Sequence, residues 1–321
     1  MLILSEADVR AVLPMRDVIT AVENALHAQA AGRTVQPVRS VVRSADGFFG
    51  SMPCSIEGVG LGAKLVTFFP NNGKRDLHTH HALIATLDPQ TGRPAAVLDG
   101  RLITEMRTAA TSAIATKALA LDGAGTVAIL GTGVQARAHI EALRVGGMLR
   151  EVRIWGRTPA NAEKLRRWAQ EQNITARIAG SVADACRGAH VVCTVTPAQA
   201  PILESYDVEP GTHVNAVGSS SPAMQELATA LVGRSRLFVD TIEGAMHESG
   251  DILAAIQEGS LPAQPELTPL CDVVAGKTPG RRVRDEITIF KSLGMAIEDI
   301  ACAALVVERA QAKGVGSVFA L

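Results

Sequence analysis

The chain has 321 residues, enough for about two domains of roughly 150 residues each. Apolar residues make up 47% and charged residues 20%, which excludes disordered, collagen-like and disulfide-stapled classes. The 31 basic and 32 acidic residues leave a net charge of −1, so nothing points to nucleic acid or an anionic membrane as partner.

Met1–Leu4 reads as a short strand, and Ser5 with Asp8 is a helix-start pair ahead of Val9 and Val12. These residues lack the basic and long apolar regions of an export signal, so the expected location is cytoplasmic. Val18, Val22 and Leu26 recur near helical spacing between Met15 and Ala31, with Gly32 as the stop. The runs Val38–Val42, Phe48–Met52, Gly62–Phe69, Ala82–Leu87 and Ala95–Leu98 predict a mostly antiparallel sheet. Ile103–Leu121 predicts one long helix of small residues. From Gly125 apolar strands alternate with helices: Val127–Leu130, a helix from Val134, Val152–Trp155, a helix after Thr158, Ala176–Ala179 and His190–Val195. Val214–Val217 and Leu237–Val239 add two strands, and Leu293–Lys313 predicts a last helix. Such alternation implies a parallel sheet with helical crossovers. The expected class is therefore α/β: a Rossmann-type doubly wound domain over 120–292, beside a discontinuous α+β domain of 1–119 and 293–321.

Gly131-Thr-Gly-Val-Gln-Ala136 follows a strand and opens a helix, the context a phosphate-binding turn requires. Gly131 permits the turn, Gly133 admits a pyrophosphate, and Ala136 lets helix pack on strand, while Thr132, Val134 and Gln135 complete the loop. At the next strand end, where an NAD site places a carboxylate for the ribose, the chain reads Trp155-Gly-Arg-Thr158. Arg157 and Thr158 suit a 2′-phosphate, so NADPH is the expected cofactor, with NADH as alternative.

Arg39, Lys64 and Arg107 lie among apolar or small residues, where a cation is costly without an anion. Either a carboxylate ligand or internal pairing with Glu105, Asp99 or Glu298 satisfies them. His78 and His80 would share a strand face, yet no acidic ligand follows at metal spacing, so no metal is expected and His80 reads as a pocket wall beside Lys64. Lys277 and Arg281-Arg282-Val-Arg284 read as a solvated loop. Cys54, Cys186, Cys193, Cys271 and Cys302, odd in number and without a Cys-x-x-Cys pair, read as reduced core thiols.

Gly62-Ala-Lys-Leu-Val-Thr-Phe-Phe, Met106-Arg-Thr-Ala-Ala-Thr-Ser-Ala, the Gly131 turn, Val214-Asn-Ala-Val-Gly218 and Phe290-Lys-Ser-Leu-Gly-Met-Ala-Ile-Glu-Asp299 together resemble the ornithine cyclodeaminase/μ-crystallin family, in order along nearly the whole chain. The resemblance implies a homodimer whose N-terminal domain carries the dimer contact and the substrate pocket. It implies that Arg39, Lys64 and Arg107 bind the substrate carboxylate, so Lys64 and Arg107 are the expected catalytic residues and Arg39, Met52, His80 and Ser220 the expected substrate contacts. It also implies that Thr108, Thr194, Val195, Thr196, Val217, Gly218, Ser292 and Leu293 line the cofactor. Where cyclodeaminases carry an Asp after the Asn-Ala-Val-Gly stretch, this chain has Ser220, and Ser51 replaces their Glu before Met52-Pro53. Arg153-Ile-Trp-Gly-Arg-Thr158 and Glu248-Ser-Gly-Asp-Ile252 resemble the μ-crystallin branch, whose enzymatic members reduce cyclic ketimines. The expected activity is NADPH-dependent reduction of Δ1-pyrroline-2-carboxylate or Δ1-piperideine-2-carboxylate to L-proline or L-pipecolate. The alternatives are ornithine or lysine cyclodeamination, an alanine-type amino-acid dehydrogenase, and a non-catalytic ligand-binding protein.

Overall fold

A computed structural model describes residues 1–320. The chain forms two compact units, Met1–Arg107 with the chain from Gly294 onward, and Thr108–Leu293. The first opens with β1 (Leu2–Leu4), α1 (Glu6–Val12) and α2 (Met15–Ala30). Ser5 Oγ accepts from the Asp8 amide at 3.3 Å while Asp8 Oδ2 accepts from the Ser5 amide at 2.9 Å, the reciprocal cap expected of that pair. Val18, Val22, Ala25 and Leu26 bury one stripe of α2. Five strands follow β2 (Thr34–Val35): β3 (Ser40–Arg43), β4 (Phe48–Ile56), β5 (Gly60–Phe68), β6 (His80–Leu87) and β7 (Pro94–Asp99). Asp99 Oδ1 then caps the first amides of α3 (Arg101–Leu119), inside which the two units divide.

The second unit continues with β8 (Thr126–Leu130), α4 (Val134–Val145), β9 (Glu151–Trp155), α5 (Pro159–Glu171), β10 (Thr175–Ile178), α6 (Val182–Cys186), β11 (Val191–Thr194) and β12 (His213–Ala216). After these come α7 (Thr229–Gly233), β13 (Arg236–Val239), α8 (Ile242–Glu248), α9 (Gly250–Gln257), β14 (Leu267–Pro269), α10 (Leu270–Val274) and β15 (Thr288–Lys291). All eight strands pair in parallel, in the order β10-β9-β8-β11-β12-β15-β13-β14. The order turns back between β8 and β11, and ligands of open parallel sheets bind outside the strand C-termini at such a point. Val127, Ile129, Val191, Val192 and Val214 are wholly buried, as strands covered on both faces must be.

Two sequence expectations change here. Phe290 and Lys291 belong to a central strand, β15, so the last helix begins at Ala296 instead of Leu293. Arg281 is not solvated: it donates to the carbonyls of Leu119, Thr212 and Glu286 and to Thr288 Oγ1, tying loop backbone that no ladder satisfies.

The chain returns to the first unit as α11 (Ala296–Lys313) and β16 (Ser317–Val318). The sheet there runs β16-β1-β7-β6-β5-β4-β2, with β3 also on β4, and is antiparallel except for β1 beside β7. Register sets Met52, Lys64, Ile84 and Leu98 side by side on its buried face. α11 covers that face, with Ile300 lying over Gly60 and Gly62. A Cβ on Gly62 would stand 2.9 Å from Ile300 Cδ1 and 2.3 Å from the Ala85 carbonyl oxygen. Gly62→Ala is therefore expected to cost about 1–3 kcal/mol, the price of overpacking, and to lower the thermal midpoint measured by calorimetry; an unchanged midpoint contradicts this seating of α11.

Candidate functional site

The first unit carries a buried cluster of charge built where β5 meets α11. Lys64, 1% exposed at the middle of β5, places Nζ 2.6 Å from Asp299 Oδ2. Arg107, 4% exposed, donates through Nη1 to Glu298 Oε2 at 2.6 Å and through Nε to Asp299 Oδ1 at 3.1 Å. Two contacts to successive carboxylates fix the plane of the guanidinium. Glu298 and Asp299 occupy the first turn of α11, where the helix dipole favours negative charge. Arg39 Nη2 donates to the Gly294 carbonyl at 3.2 Å, and Gln36 Oε1 accepts from the Ile297 amide at 3.3 Å, so the segment before β3 is pinned to the start of α11.

Internal pairing is thus realised in part, through one of the three carboxylates considered from sequence. Glu298 pairs with Arg107, whereas Glu105 pairs with Arg101 and Asp99 caps α3. Asp299, absent from the sequence-level candidates, is the acid both cations share. Arg39 stands close enough for its charge to act on Lys64, so three cations gather at the start of α11. Burial and the Arg107 charge push Lys64 down to about 8, against the opposing pull of Asp299.

Met52 lies directly beside Lys64 across the β4–β5 ladder. His80 opens β6 opposite Phe68, its ring 4.6 Å from that of Phe68. The residue is exposed, yet desolvation and then the Lys64 charge lower its pKa to about 4 and keep it neutral at neutral pH. His78 precedes the strand, so the two histidines do not share a strand face. Among the described residues no group of three metal-ligating side chains occurs. Ser220 lies in the second unit, half-buried in the loop after β12.

In the second unit Gly131, Thr132, Gly133, Arg157, Thr158, Val195 and Thr196 line one cavity of about 530 Å³ at the C-terminal ends of β8, β9 and β11. Gly131 sits at φ +127°, and a Cβ there would come 2.8 Å from the Val195 carbonyl oxygen, so only glycine lets the turn meet the β11 loop. Gly156 packs on Thr132 in the same way, which brings Arg157 beside the turn. α4 has no side-chain cap and no acidic residue in its first turn, and Gln135 Oε1 is buried without a hydrogen-bond partner. Orphan amides at an uncapped N-terminus fit a pyrophosphate. Val217, Gly218, Ser292 and Leu293 follow β12 and β15 along the same sheet edge. Thr194 is buried at the end of β11 and Thr108 is buried in α3, and neither lines the cavity.

Sequence reasoning missed a second buried network. Glu226, 0% exposed, receives hydrogen bonds from the loops after β11 and β12, and Asp251 joins its main chain to Lys291. Burial pushes Glu226 up, opposed first by the Lys291 charge. Gly218, Asp251 and Lys291 lie in stretches that carry the family resemblance, and Thr194 and Thr196 are among the residues it implies, but Glu226, which joins them, belongs to neither.

Residues 1–314 match the sequence profile of the Ornithine cyclodeaminase/mu-crystallin family. Ketimine reductase mu-crystallin of Rattus norvegicus is 43% identical over 278 residues, covering 86% of this chain and 85% of that protein. The solved structure of Thermococcus litoralis Δ(1)-pyrroline-2-carboxylate reductase, in complex with NADH and L-proline, is similar with TM-score 0.96 and 34% identity, covering 99% of this chain and 100% of that one. An archaeal alanine dehydrogenase dimer with bound NAD has TM-score 0.95 and 33% identity, covering 100% and 99%.

Because Asp299 holds Lys64 up, Asp299→Asn is expected to let Lys64 lose its proton below its present value of about 8. Titration of the Lys64 amine, followed by NMR between about pH 6 and about pH 9, is expected to show a midpoint displaced to lower pH in the variant; an unmoved midpoint contradicts the assignment.

Proposed function

The chain belongs to the ornithine cyclodeaminase/mu-crystallin family, and from that premise we propose that it reduces a small cyclic 2-imino acid with NADPH. The substrate is Δ1-pyrroline-2-carboxylate or Δ1-piperideine-2-carboxylate, and the product L-proline or L-pipecolate. The observation that carries this reading is the gathering of buried Lys64 and Arg107 and half-buried Arg39 around the start of α11, where Glu298 and Asp299 fix the first two in place. Cations gathered in a largely desolvated setting suit a carboxylate ligand. The L-proline and NADH of the T. litoralis relative support the same substrate class and a nicotinamide cofactor.

When bound, the reduced nicotinamide supplies the hydride that the imine carbon accepts. The protein's own part is to bind, orient and shield. Arg107, its plane set by Glu298 and Asp299, takes the carboxylate in the forked geometry a guanidinium offers. Lys64 stands on the adjoining strand and, with its pKa depressed to about 8, is poised to hold or give up a proton near neutral pH. Met52 supplies an apolar wall beside it. Ser220 stands where a cyclodeaminase carries its Asp, so the chain lacks a carboxylate base for amine chemistry at that position. Arg157 and Thr158, on the cavity that holds the glycine turn, favour a 2′-phosphate and hence NADPH. Residues 1–119 with 293–321 form the substrate-binding and dimerisation domain of this reading, and 120–292 the dinucleotide-binding domain.

Initial rates of NADPH oxidation test the proposal. Both cyclic imino acids are expected to turn over, faster than pyruvate with ammonium, the pair suggested by the alanine dehydrogenase relative. Arg107→Lys is expected to lower kcat/KM about a hundredfold, the loss of a forked contact worth about 2–3 kcal/mol. Arg157→Asp is expected to reverse the preference for NADPH over NADH. Faster turnover of pyruvate with ammonium, ammonia release from L-ornithine, or tight NADPH binding without turnover each replaces the proposal with the corresponding alternative.

A homodimer belongs to the same reading. The sheet face opposite Lys64 presents Ile3, Val42, Phe49 and Leu83, each more than a third exposed, and such an apolar surface suits a second copy. Analytical ultracentrifugation is expected to give a dimer that Leu83→Asp converts to monomer; a wild-type monomer contradicts it.

A further inference from the structure

The buried carboxylate of Glu226 has no role in a strand ladder, yet it gathers donors from two separate loops. Its Oε1 accepts from the Thr196 amide at 2.7 Å and the Thr196 hydroxyl at 2.8 Å. Its Oε2 accepts from the Thr194 hydroxyl at 2.8 Å, the Gly218 amide at 2.7 Å and the Ser219 amide at 3.2 Å. Thr194 and Thr196 end and follow β11, while Gly218 and Ser219 follow β12, so one side chain joins the backbones leaving two neighbouring parallel strands. The loops are in close contact, since a Cβ on Gly218 would lie 2.0 Å from the Thr196 carbonyl oxygen. Glu226 is itself held: Asp251 Oδ1 accepts from the amides of Glu226 and Leu227 at 2.8 and 2.9 Å, and Asp251 Oδ2 lies 2.9 Å from Lys291 Nζ on β15.

Burying a carboxylate is expensive unless its hydrogen bonds repay the lost hydration. An apolar residue at 226 would leave the amides of Thr196 and Ser219 without the partner they have here. Sheet order says which part of a nucleotide these loops face. The glycine turn ends β8, and Arg157, the 2′-phosphate candidate, follows β9 on one side of the switch point. A dinucleotide with its pyrophosphate on the turn and its adenosine toward β9 extends its other half toward β11 and β12.

We propose that Glu226 is a positioning residue for the nicotinamide half of the cofactor, fixing the Thr194–Thr196 and Gly218–Ser219 backbones as one wall, with Asp251 and Lys291 as its anchor. The inference rests on the nucleotide reading above and assigns residues that reading leaves without a role. Exchanging the carboxylate for an amide keeps the shape but turns one acceptor into a donor facing other donors, so the wall should loosen while the adenosine side stays intact.

Calorimetry with two ligands separates these effects: NADPH, and 2′-phospho-ADP-ribose, which lacks the nicotinamide. Glu226→Gln is expected to weaken NADPH about tenfold and the truncated nucleotide less than about twofold, as loss of one charge-assisted hydrogen bond confined to one half would do. Thr194→Val, which removes a single donor and serves if the first variant does not fold, is expected to weaken NADPH about two- to threefold with the truncated nucleotide unchanged. Equal weakening of both ligands, or of neither, overturns the assignment while leaving the nucleotide site standing. Wild-type protein that binds neither ligand overturns the nucleotide reading and this inference with it.

Discussion

The contact of Asp299 with both Lys64 and Arg107 is the constraint from which the rest of the first unit follows. A lysine at 1% exposure on the inner face of a sheet survives only beside an opposite charge, and that charge, Asp299, arrives on a helix more than two hundred residues further along the chain. For the carboxylate to reach 2.6 Å from Nζ, α11 must lie flat on β4, β5 and β6, which the glycines beneath Ile300 allow. Buried ion pairs return little net stability, because the Coulomb gain roughly offsets the desolvation cost. Their value here is positional: two carboxylates hold Lys64 and Arg107 in a fixed array.

The second unit solves a different problem with the same means. Its parallel strands end along one edge, and loops leaving such an edge have amides that no ladder can satisfy. An uncapped α4 and the glycine turn leave theirs open toward the cavity, whereas the loops after β11 and β12 have theirs closed by Glu226. Open amides suit an anion, and closed ones make a rigid wall. The contrast between two adjacent loop systems on one sheet edge is what a site for a long, half-charged nucleotide requires.

Much of this was legible where the deciding physics is local. The Ser5–Asp8 cap, the stripe of α2 and the alternation of strand and helix from Gly125 follow from spacing of a few residues, as does the Gly131 turn. Arg39, Lys64 and Arg107 stood out because a cation among small or apolar neighbours is costly. Their partner did not, because Asp299 lies 192 residues from Arg107 and nothing nearby marks it as buried. The strand through Phe290 and Lys291 was not legible, because a lysine inside a central strand is improbable until Asp251 is seen beside it. Arg281 misled for the converse reason: it sits in a run of arginines that looks solvated, yet its acceptors are backbone carbonyls, which leave no trace in composition.

The central claim is that the carboxylate of a ligand settles against Lys64 in this cluster. Proton linkage measures this directly. With Lys64 near a pKa of about 8, a carboxylate that settles against it must recharge the amine, drawing in about half a proton per site at about pH 8 and almost none at about pH 6. Calorimetric titration of the protein with pyrrole-2-carboxylate, in buffers of different ionisation enthalpy, reads that number. The account predicts uptake that vanishes on acidification and is absent in Lys64→Met. Binding at about pH 8 with no proton exchange would contradict it.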